Sequence, residues 1–338
     1  MPRLIAIDAA GAAFVDAMRR AWDDGDVVAP VDPRLPAEAR AALPLEGELQ
    51  DGDALVVFTS GTAGEPKGVV LTHDAVAASA RASNAALGVT ADDAWWSCLP
   101  LAHIGGLSVI LRSLHAGTRV TFEDDGTATL VSVVPTMLQR MDTRPFRRVL
   151  LGGAAAPDGL AANVVRTYGM TETGSGVAYD GRPLDGVELR VDDAGLIHVR
   201  GPMLLRTYLD GSDPKTDDGW LATGDVGELV GGVLRVRGRV GDVINTGGEK
   251  VWPITVERAL ADAPGVAEVA IAKRADAEWG ERVVAFVVPV DGTAPPSLDA
   301  LRDVVKQTLP AYCAPKELVL VDALPRTQSG KVRRADLV

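Results

Sequence analysis

Short apolar runs alternate with longer amphipathic segments in the first half of the chain. Runs with the length and composition of buried strands occupy residues 54–58, 94–99, 118–122, 130–134, 148–151 and 163–167. Between them, the spacing of apolar positions predicts helices over residues 74–86, 104–115, 135–142 and 157–162. Strands that alternate with helices are typical of an α/β domain with a parallel sheet. We therefore predict this fold class for the first part of the chain.

The pattern changes to short strand-like pieces after residue 185. These pieces lie at residues 186–191, 196–200 and 233–237. The turn sequences Asp-Ala-Gly at 193–195 and Gly-Gly at 231–232 separate them. We predict a small antiparallel β unit here.

The last hundred residues predict a second, smaller domain. Helices are expected over residues 253–263 and 298–309, and strands over residues 266–273, 283–290 and 317–321. This is a compact α+β pattern of small-domain size. The Arg-Val-Gly-Asp segment before it joins two β-rich blocks. The predicted organisation is a large domain at 1–238, a hinge at 239–242 and a small domain at 243–338.

Composition and charge exclude several classes of protein. The formal net charge of −12, with no basic stripe, disfavours a partner made of nucleic acid. Two cysteines far apart imply no disulfide framework and fit a reducing cytoplasm. The four histidines lack metal-ligand spacing. No apolar run is long enough to span a membrane, and Asp8 breaks the first apolar stretch too early for a signal peptide. We predict a cytoplasmic location.

One loop carries the densest set of anion-binding groups. Residues 59–68 read Thr-Ser-Gly-Thr-Ala-Gly-Glu-Pro-Lys-Gly and follow the apolar run at 54–58. Such a loop presents backbone N–H groups, hydroxyls and a cation to a phosphate. It is not a Walker P-loop, because Gly68 rather than Ser or Thr follows Lys67. Taken alone, the segment is as typical of a surface turn as of a phosphate-binding loop.

Four further segments combine glycines with reactive side chains. His103 precedes a Gly-Gly pair, and Gly-Gly-Ala at 152–154 follows a predicted strand. Tyr-Gly-Met-Thr-Glu-Thr at 168–173 follows the next strand, and Thr-Gly-Asp occupies 223–225. Each alone fits a structural role, such as a core histidine, a loop or a capping turn. As a set they provide a base platform, a magnesium ligand and a ribose acceptor.

In this order and spacing, the motifs resemble those of the adenylate-forming superfamily of acyl-CoA ligases, luciferases and peptide-synthetase adenylation domains. The resemblance runs from residue 55 to the C-terminus. It implies a large N-terminal α/β domain with a small β unit, followed by a small mobile α+β domain. It also implies ATP, Mg2+ and coenzyme A. The phosphate loop begins early, so we expect a shortened large domain in which residues 29–34 resemble a remaining fragment.

The resemblance also assigns roles to residues of this sequence. The implied ATP- and AMP-binding residues are Thr59, Ser60, Gly61, Thr62, Gly64, Lys67, Gly152, Gly153, Ala154, Tyr168, Gly169, Met170, Thr171, Asp225 and Arg239. The implied catalytic residues are Lys331, His103 and Glu172, and Glu172 is also the metal ligand. The implied coenzyme A channel contains Gly247, Gly248 and Lys250.

The implied chemistry explains why these residue types are needed. A carboxylate that attacks the α-phosphate of ATP brings two anions together. Mg2+ and Lys331 then neutralise charge that builds up in the transition state. An acyl-adenylate forms as pyrophosphate leaves, and attack by a thiol releases AMP. Lysine suits the first step because it is a compact cation on a flexible stem.

Arg112 indicates which acid is activated. It interrupts an otherwise apolar helix at residues 107–114. An arginine in this position either extends to solvent or holds a second carboxylate of the substrate. With His103, Thr173 and Ser175 it forms the predicted acid site. The stretches at 166–173 and 179–187 are most similar to superfamily members that ligate an aromatic dicarboxylic acid to coenzyme A.

Two departures from the superfamily pattern stand out. Ala63 replaces a hydroxyl residue common in the phosphate loop, which removes one donor. Gly241 stands where many relatives carry a hinge aspartate, which makes the pivot more permissive.

Three alternatives remain open from the sequence. They are a ligase for another aryl or short-chain acid, a carrier-loading adenylation domain, and a non-catalytic adenylate-binding module. The presence of Lys67, Glu172, Asp225 and Lys331 together favours an enzyme. The expected partners are small molecules, and the oligomeric state, including a homo-oligomer, is left open.

Overall fold

The computed structural model describes residues 1–60, 66–154, 159–292, 294–326 and 332–337, without the side chain of Ser60. The chain divides into two compact units. The first comprises Met1–Arg190, His198–Ala222 and Gly231–Leu234. The second comprises Val191–Ile197, Thr223–Val230 and Arg235–Val338. The predicted boundaries at 238/239 and 242/243 stay predictions.

The described residues form the following helices and strands. The helices are α1 (Gly11–Asp23), α2 (Ala37–Ala41), α3 (His73–Leu87), α4 (Ile104–Ala116), α5 (Pro135–Leu138), α6 (Pro253–Leu260) and α7 (Leu298–Thr308). The strands of the first half are β1 (Leu4–Ile7), β2 (Val27–Pro30), β3 (Asp53–Ser60), β4 (Pro66–Thr72), β5 (Ala94–Trp96), β6 (Arg119–Thr121), β7 (Leu130–Val133), β8 (Arg148–Leu151), β9 (Val164–Met170) and β10 (Ser175–Tyr179). The remaining strands are β11 (Arg182–Pro183), β12 (Glu188–Val191), β13 (Leu196–Arg200), β14 (Leu221–Val230), β15 (Val233–Arg239), β16 (Ile244–Thr246), β17 (Glu249–Val251), β18 (Val266–Asp276), β19 (Gly280–Pro289) and β20 (Glu317–Leu320).

The predicted phosphate loop lies in a β-hairpin. The first sheet has the order β1-β2-β3-β4. Strands β1, β2 and β3 run parallel, whereas β4 runs antiparallel to β3 and places Lys67 opposite Thr59. The apolar run 69–71 is fully buried, which explains why a strand forms there. Strand β4 was not predicted, because its first residues belong to a glycine-rich segment.

The second sheet carries the α/β pattern predicted from the sequence. Its order is β11-β10-β9-β8-β7-β5-β6. Strands β6, β5, β7, β8 and β9 are parallel to their neighbours, and β10 is antiparallel to β9. The carboxyl ends of β8 and β9 therefore lie side by side at the same end of the sheet. The predicted α/β architecture is confirmed.

The two helices beside this sheet have clear sequence boundaries. Helix α3 begins after Thr72, whose Oγ1 accepts a hydrogen bond from Ala75 N at 3.1 Å. It ends at Gly88, which adopts a left-handed φ of 58°. Helix α4 ends in the same way at Gly117, with a φ of 68°. Their buried faces join Trp95 in the large apolar core of the first unit.

Two predictions in this region are wrong. Helix α5 ends at Leu138 rather than at residue 142. The predicted helix 157–162 does not form over residues 159–162, because Gly159 has a φ of +69°. Residues 157 and 158 lie outside the described residues.

A four-stranded sheet has the order β12-β13-β14-β15. The division of the chain into two units passes through these strands. Gly231 and Gly232 have φ values of 58° and 76°, as the predicted Gly-Gly turn requires. Strand β14 was not predicted, and the Thr-Gly-Asp motif at 223–225 lies inside it.

The remainder of the second unit has the predicted α+β composition. Its sheet has the order β17-β16-β19-β18, and β20 pairs parallel to β19. Helices α6 and α7 bury Val256, Leu260, Leu301 and Val305 in its core. Strand β15 ends at Arg239, and residues 240–242 form a 3-10 turn. No helix among the described residues meets the length and hydropathy that crossing a membrane requires.

Asp93 joins α3 to the parallel sheet. Its carboxylate accepts hydrogen bonds from Arg147 Nη2 at 2.6 Å and from Thr129 Oγ1 at 2.7 Å. Arg147 also donates to the carbonyls of Leu87 and Gly88 at the end of α3. Burial opposes ionisation of Asp93, but the bonds from Arg147, Thr129 and Thr90 lower its pKa from 3.8 to about 2.

We predict that this carboxylate makes folding acid-sensitive. Its pKa is lower in the folded state, so its stabilisation is complete above pH 4 and is lost as the pH falls towards 2. The side chain is 4% exposed, so we expect Asp93→Asn to lower the free energy of unfolding by about 2 kcal/mol at pH 7. Denaturant unfolding at pH 7 and at pH 2.5 measures this difference, which should shrink in acid. The exposed neighbour Asp92 provides the control substitution Asp92→Asn. An equal effect of Asp93→Asn at both pH values would contradict the prediction.

Candidate active site

A tight turn joins β9 to β10 at the edge of the second sheet. Residues 171–173 form a 3-10 turn directly after Met170. Thr173 is fully buried, and its Oγ1 accepts from Met170 N at 2.9 Å and donates to Ser175 O at 2.7 Å. The hydroxyl of Thr173 therefore fixes the turn on which Thr171 and Glu172 lie.

Close packing of neighbouring atoms explains two predicted glycines. A Cβ at Gly169 would lie 2.1 Å from Ser175 O, and one at Gly152 would lie 2.6 Å from Thr167 Oγ1. Gly153 has a φ of 84°, which favours glycine. The segment directly after β8 contains Gly152, Gly153 and Ala154. Strand β8 pairs with β9, which contains Tyr168.

One tyrosine contacts both Lys67 and Glu172. Tyr208 donates its hydroxyl to Glu172 Oε1 at 3.1 Å. Lys67 Nζ lies 4.9 Å from the centroid of the same ring. Burial, followed by the charge and hydrogen bond of Glu172, raises the pKa of Tyr208 to about 12, so the phenol keeps its proton near neutrality.

The segment that carries Tyr208 is paired with β4. Leu209 N donates to Gly68 O at 2.7 Å, and Val70 N donates to Thr207 O at 3.0 Å. Leu205 N donates to Glu172 O at 2.8 Å. The β3–β4 hairpin and the turn after β9 are thereby held by one strand-like segment.

The residues at this position fit a magnesium ion bound with a nucleotide. Mg2+ prefers oxygen ligands and usually takes one or two carboxylates together with substrate phosphates and water. Glu172 supplies a carboxylate that is 9% exposed. The part of the chain that the structure describes contains no cluster of three acidic, histidine or cysteine ligands. The donor set therefore suits a metal that arrives with ATP.

Arg112 lies in the interior of the first unit, 4% exposed. Its guanidinium donates to Ser108 at 2.5 Å, to Ser175 at 3.3 Å and to Ser132 at 3.4 Å. It also lies 5.0 Å from the ring of Trp95. The structure therefore brings together Arg112 and Ser175, two residues of the predicted acid site.

No carboxylate among the described residues forms an ion pair with Arg112, and its Nε has no hydrogen-bond partner. The indole Nε1 of Trp95 is also buried without a partner. Burial lowers the pKa of Arg112, opposed by Tyr179. The result is a buried cation surrounded by neutral groups, with donors that lack acceptors.

His103 is the residue immediately before α4. Leu107 N and Gly106 N both donate to His103 O, and a Cβ at Gly106 would lie 2.3 Å from Pro100 O. Hydrogen bonds from Arg34, with a smaller effect of the charge of His103, lower the pKa of Asp32. His103 is placed by the N-terminus of α4, whose first turn accepts no side-chain cap from it.

The other predicted site residues belong to the second unit. Arg239 Nε donates to Asp225 Oδ1 at 2.9 Å. Gly247 has a φ of 60°, and a Cβ there would lie 2.6 Å from the ring of Trp279. Lys316 Nζ lies 3.4 Å from the centroid of that ring. Gly248 is exposed on the same turn as Gly247, and Lys250 is exposed on β17.

Several predicted residues lie outside the described residues. They are Gly61, Thr62, Gly64 and Lys331, and the side chain of Ser60 is not described. Their roles, and that of Thr59 on β3, stay predictions.

Sequence reasoning missed four residues at the site. They are Tyr208, Trp95, Ser108 and Ser132. Ser108 precedes Arg112 by four residues on one helix, so helical spacing would have found it. Trp95 and Ser132 come from β5 and β7, and Tyr208 comes from a segment that bridges to Val69 of β4, so their positions depend on strand pairing.

Family models match most of the chain. The AMP-binding enzyme model matches residues 29–209, which is more than half of the 338 residues. The model of the AMP-binding enzyme C-terminal domain matches residues 255–331.

Among known proteins, the chain is similar to CoA ligases. It is 39% identical to the probable 2-succinylbenzoate–CoA ligase of Mycobacterium tuberculosis, across 97% of this chain and 95% of that protein. It is 34% identical to the indoleacetate–CoA ligase of Aromatoleum aromaticum, across 99% of this chain and 78% of that protein.

Solved structures agree with these similarities. A variant of E. coli MenE with bound OSB-AMS has a TM-score of 0.83 and 27% identity, and covers 99% of this chain and 86% of its own. The o-succinylbenzoate coenzyme A synthetase (MenE) of Bacillus subtilis, in complex with ATP and magnesium ion, has a TM-score of 0.77 and 29% identity. The match covers 99% of this chain and 79% of that one.

Proposed function

We propose that this chain, which belongs to the AMP-binding enzyme family, ligates o-succinylbenzoate to coenzyme A through an acyl-adenylate. The first step uses ATP with Mg2+ and releases pyrophosphate, and attack of the thiol on the acyl-adenylate then releases AMP. The product is an intermediate of menaquinone biosynthesis. The relatives named for this activity and the MenE structures support the proposal.

The buried Arg112 is the observation that carries the choice of acid. A charge taken out of water without a partner is costly. The described chain supplies only serine hydroxyls and an aromatic ring to this guanidinium. A substrate carboxylate would accept the unused donors in a charge-assisted, bidentate manner. The substrate should therefore bear a second carboxylate besides the one that is activated.

o-Succinylbenzoate meets this requirement. Its aliphatic carboxylate is the nucleophile towards ATP, and its aromatic carboxylate remains for Arg112. Ser175, which accepts a hydrogen bond from Arg112, begins β10 just after the turn with Glu172. His103 lies at the start of the helix that carries Arg112. A simple fatty acid would leave the guanidinium unpaired.

At the nucleotide end of the site, a cation and a carboxylate have separate roles. Lys67 neutralises phosphate charge, and Glu172 provides an oxygen for Mg2+. Bound Mg2+ supplies Lewis acidity at the phosphate oxygens. Gly152 and Gly153 let the backbone approach the adenine, beside Tyr168. Lys331 balances the charge that develops when the acid attacks, and Asp225 with Arg239 holds the ribose.

The thiol reaction uses the second unit. Gly247 and Gly248 both have positive φ, and the ring of Trp279 packs on Gly247. We assign this turn, with Lys250, to the channel for the pantetheine arm. A Cβ at Gly248 would meet nothing within 4 Å, so this glycine leaves room for a narrow chain to pass.

A ligase for another aryl acid is the second candidate. The indoleacetate–CoA ligase of Aromatoleum aromaticum acts on an acid with one carboxylate, and its 34% identity favours this reading. Arg112 speaks against it, because a monocarboxylate leaves the buried cation without a partner.

The direct test is product formation by the purified protein. Incubation with ATP, Mg2+, coenzyme A and o-succinylbenzoate should give the thioester and AMP, detected by mass. Indoleacetate, benzoate and a short-chain acid serve as parallel substrates. A thioester from one of these, with none from o-succinylbenzoate, would assign the second candidate. No AMP from any acid would favour a non-catalytic module.

We predict that Arg112→Met weakens binding of the acid without lowering the stability of the free protein. The Michaelis constant for o-succinylbenzoate should rise about 100-fold, because the buried charge pair is lost. The constant for MgATP should not change. Thermal unfolding of the free protein should not shift downwards, since an unpaired buried charge is removed. Arg119→Met, at an exposed arginine, is the control. An unchanged constant for the acid would refute the clamp.

We predict that Lys331→Ala suppresses only the first half-reaction. ATP–pyrophosphate exchange should fall at least about 100-fold, because a cation at the developing charge is lost. Thioester formation from supplied acyl-adenylate should persist. Lys306→Ala removes an exposed lysine of α7 as the control. Normal exchange by Lys331→Ala would overturn the assigned role.

A further inference from the structure

We propose that Tyr208 is a positioning residue for MgATP: it separates Lys67 from Glu172 and orients the carboxylate towards the metal. The proposal deepens the proposed function, since it rests on the nucleotide site but not on the identity of the acid. None of the motifs recognised in the sequence includes this tyrosine.

Tyr208 contacts both charged residues at once. Its hydroxyl donates to Glu172 Oε1 at 3.1 Å, and its ring lies 4.9 Å from Lys67 Nζ. The bond occupies one carboxylate oxygen and leaves Oε2 for a metal. An aromatic face attracts an ammonium group without neutralising it. Each side chain is thus held while its charge remains usable.

Without this arrangement the two charges would tend to neutralise each other. Oppositely charged groups in a partly buried place attract strongly, and a direct pair would compete with MgATP for both partners. Among the ion pairs of the described residues, none joins Lys67 to Glu172. The phenol lies between them, with its hydroxyl on Glu172 and its ring beside Lys67.

The backbone around Tyr208 is firmly anchored. Arg206 donates to both carboxylate oxygens of Asp53, at 2.8 Å and 2.9 Å, and the Asp53 side chain is fully buried. Leu209 N donates to Gly68 O, next to Lys67. A Cβ at Gly68 would lie 3.0 Å from Leu209 Cβ, so glycine permits this approach. The tyrosine is therefore placed by the same hairpin that carries Lys67.

Two substitutions separate the two contacts. Tyr208→Phe removes the hydroxyl that binds Glu172 and keeps the ring beside Lys67. Tyr208→Leu removes both. Titration calorimetry with ATP, once with Mg2+ and once with EDTA, reads the metal-dependent and metal-independent parts of binding. Glu172→Gln is the reference for loss of the metal ligand, and Tyr312→Phe removes an exposed hydroxyl of the second unit as the control.

We expect Tyr208→Phe to weaken MgATP binding about tenfold, since a hydrogen bond to a charged group is lost. Its affinity for ATP in EDTA should equal that of the wild type. Tyr208→Leu should weaken binding in both conditions, and Tyr312→Phe in neither. Wild-type MgATP affinity in Tyr208→Phe, or an equal loss with and without Mg2+, would overturn the proposal.

The measurement is independent of the acid. If the protein makes no o-succinylbenzoate thioester, the calorimetry still decides the role of Tyr208. Thermal unfolding of each variant without nucleotide identifies any loss of folding. If Tyr208→Leu does not fold, Tyr208→Phe alone decides, because it preserves the packed ring.

Discussion

A buried guanidinium without a carboxylate is the constraint on which the acid site depends. Arg112 is held by three serines and an indole ring, and these neutral groups do not compensate its charge. Its position is costly for the free protein, and a second carboxylate on the substrate removes that cost. The same charge explains why the site should reject monocarboxylic acids.

The proposed nucleotide site, unlike the acid site, contains charges of both signs. Lys67 and Glu172 have opposite signs and lie close together, yet a tyrosine stands between them. Both sites depend on close backbone packing at one sheet edge, where Gly169 touches the carbonyl of Ser175. The turn after β9 links the two proposed sites, because it carries Glu172 and leads into β10, where Ser175 accepts a hydrogen bond from Arg112.

Much of this arrangement could be predicted from the sequence. Alternating apolar runs gave the parallel sheet, and the glycine-rich motifs gave most of the candidate residues. Strand β4 was not predicted because its apolar run follows directly on a glycine-rich segment. Tyr208 and Trp95 were missed because no local pattern marks residues that meet only through strand pairing. The helix expected at 157–162 failed over its described residues because Gly159 takes a left-handed conformation.

The proposed role of Arg112 is to bind a second carboxylate on the acid. Comparing o-succinylbenzoate with 4-oxo-4-phenylbutanoate, which lacks only the aromatic carboxylate, isolates this role. The measured quantity is the ratio of the two kcat/KM values for the wild-type protein. We expect a ratio of about 100 or more in favour of o-succinylbenzoate. A ratio near one would contradict it.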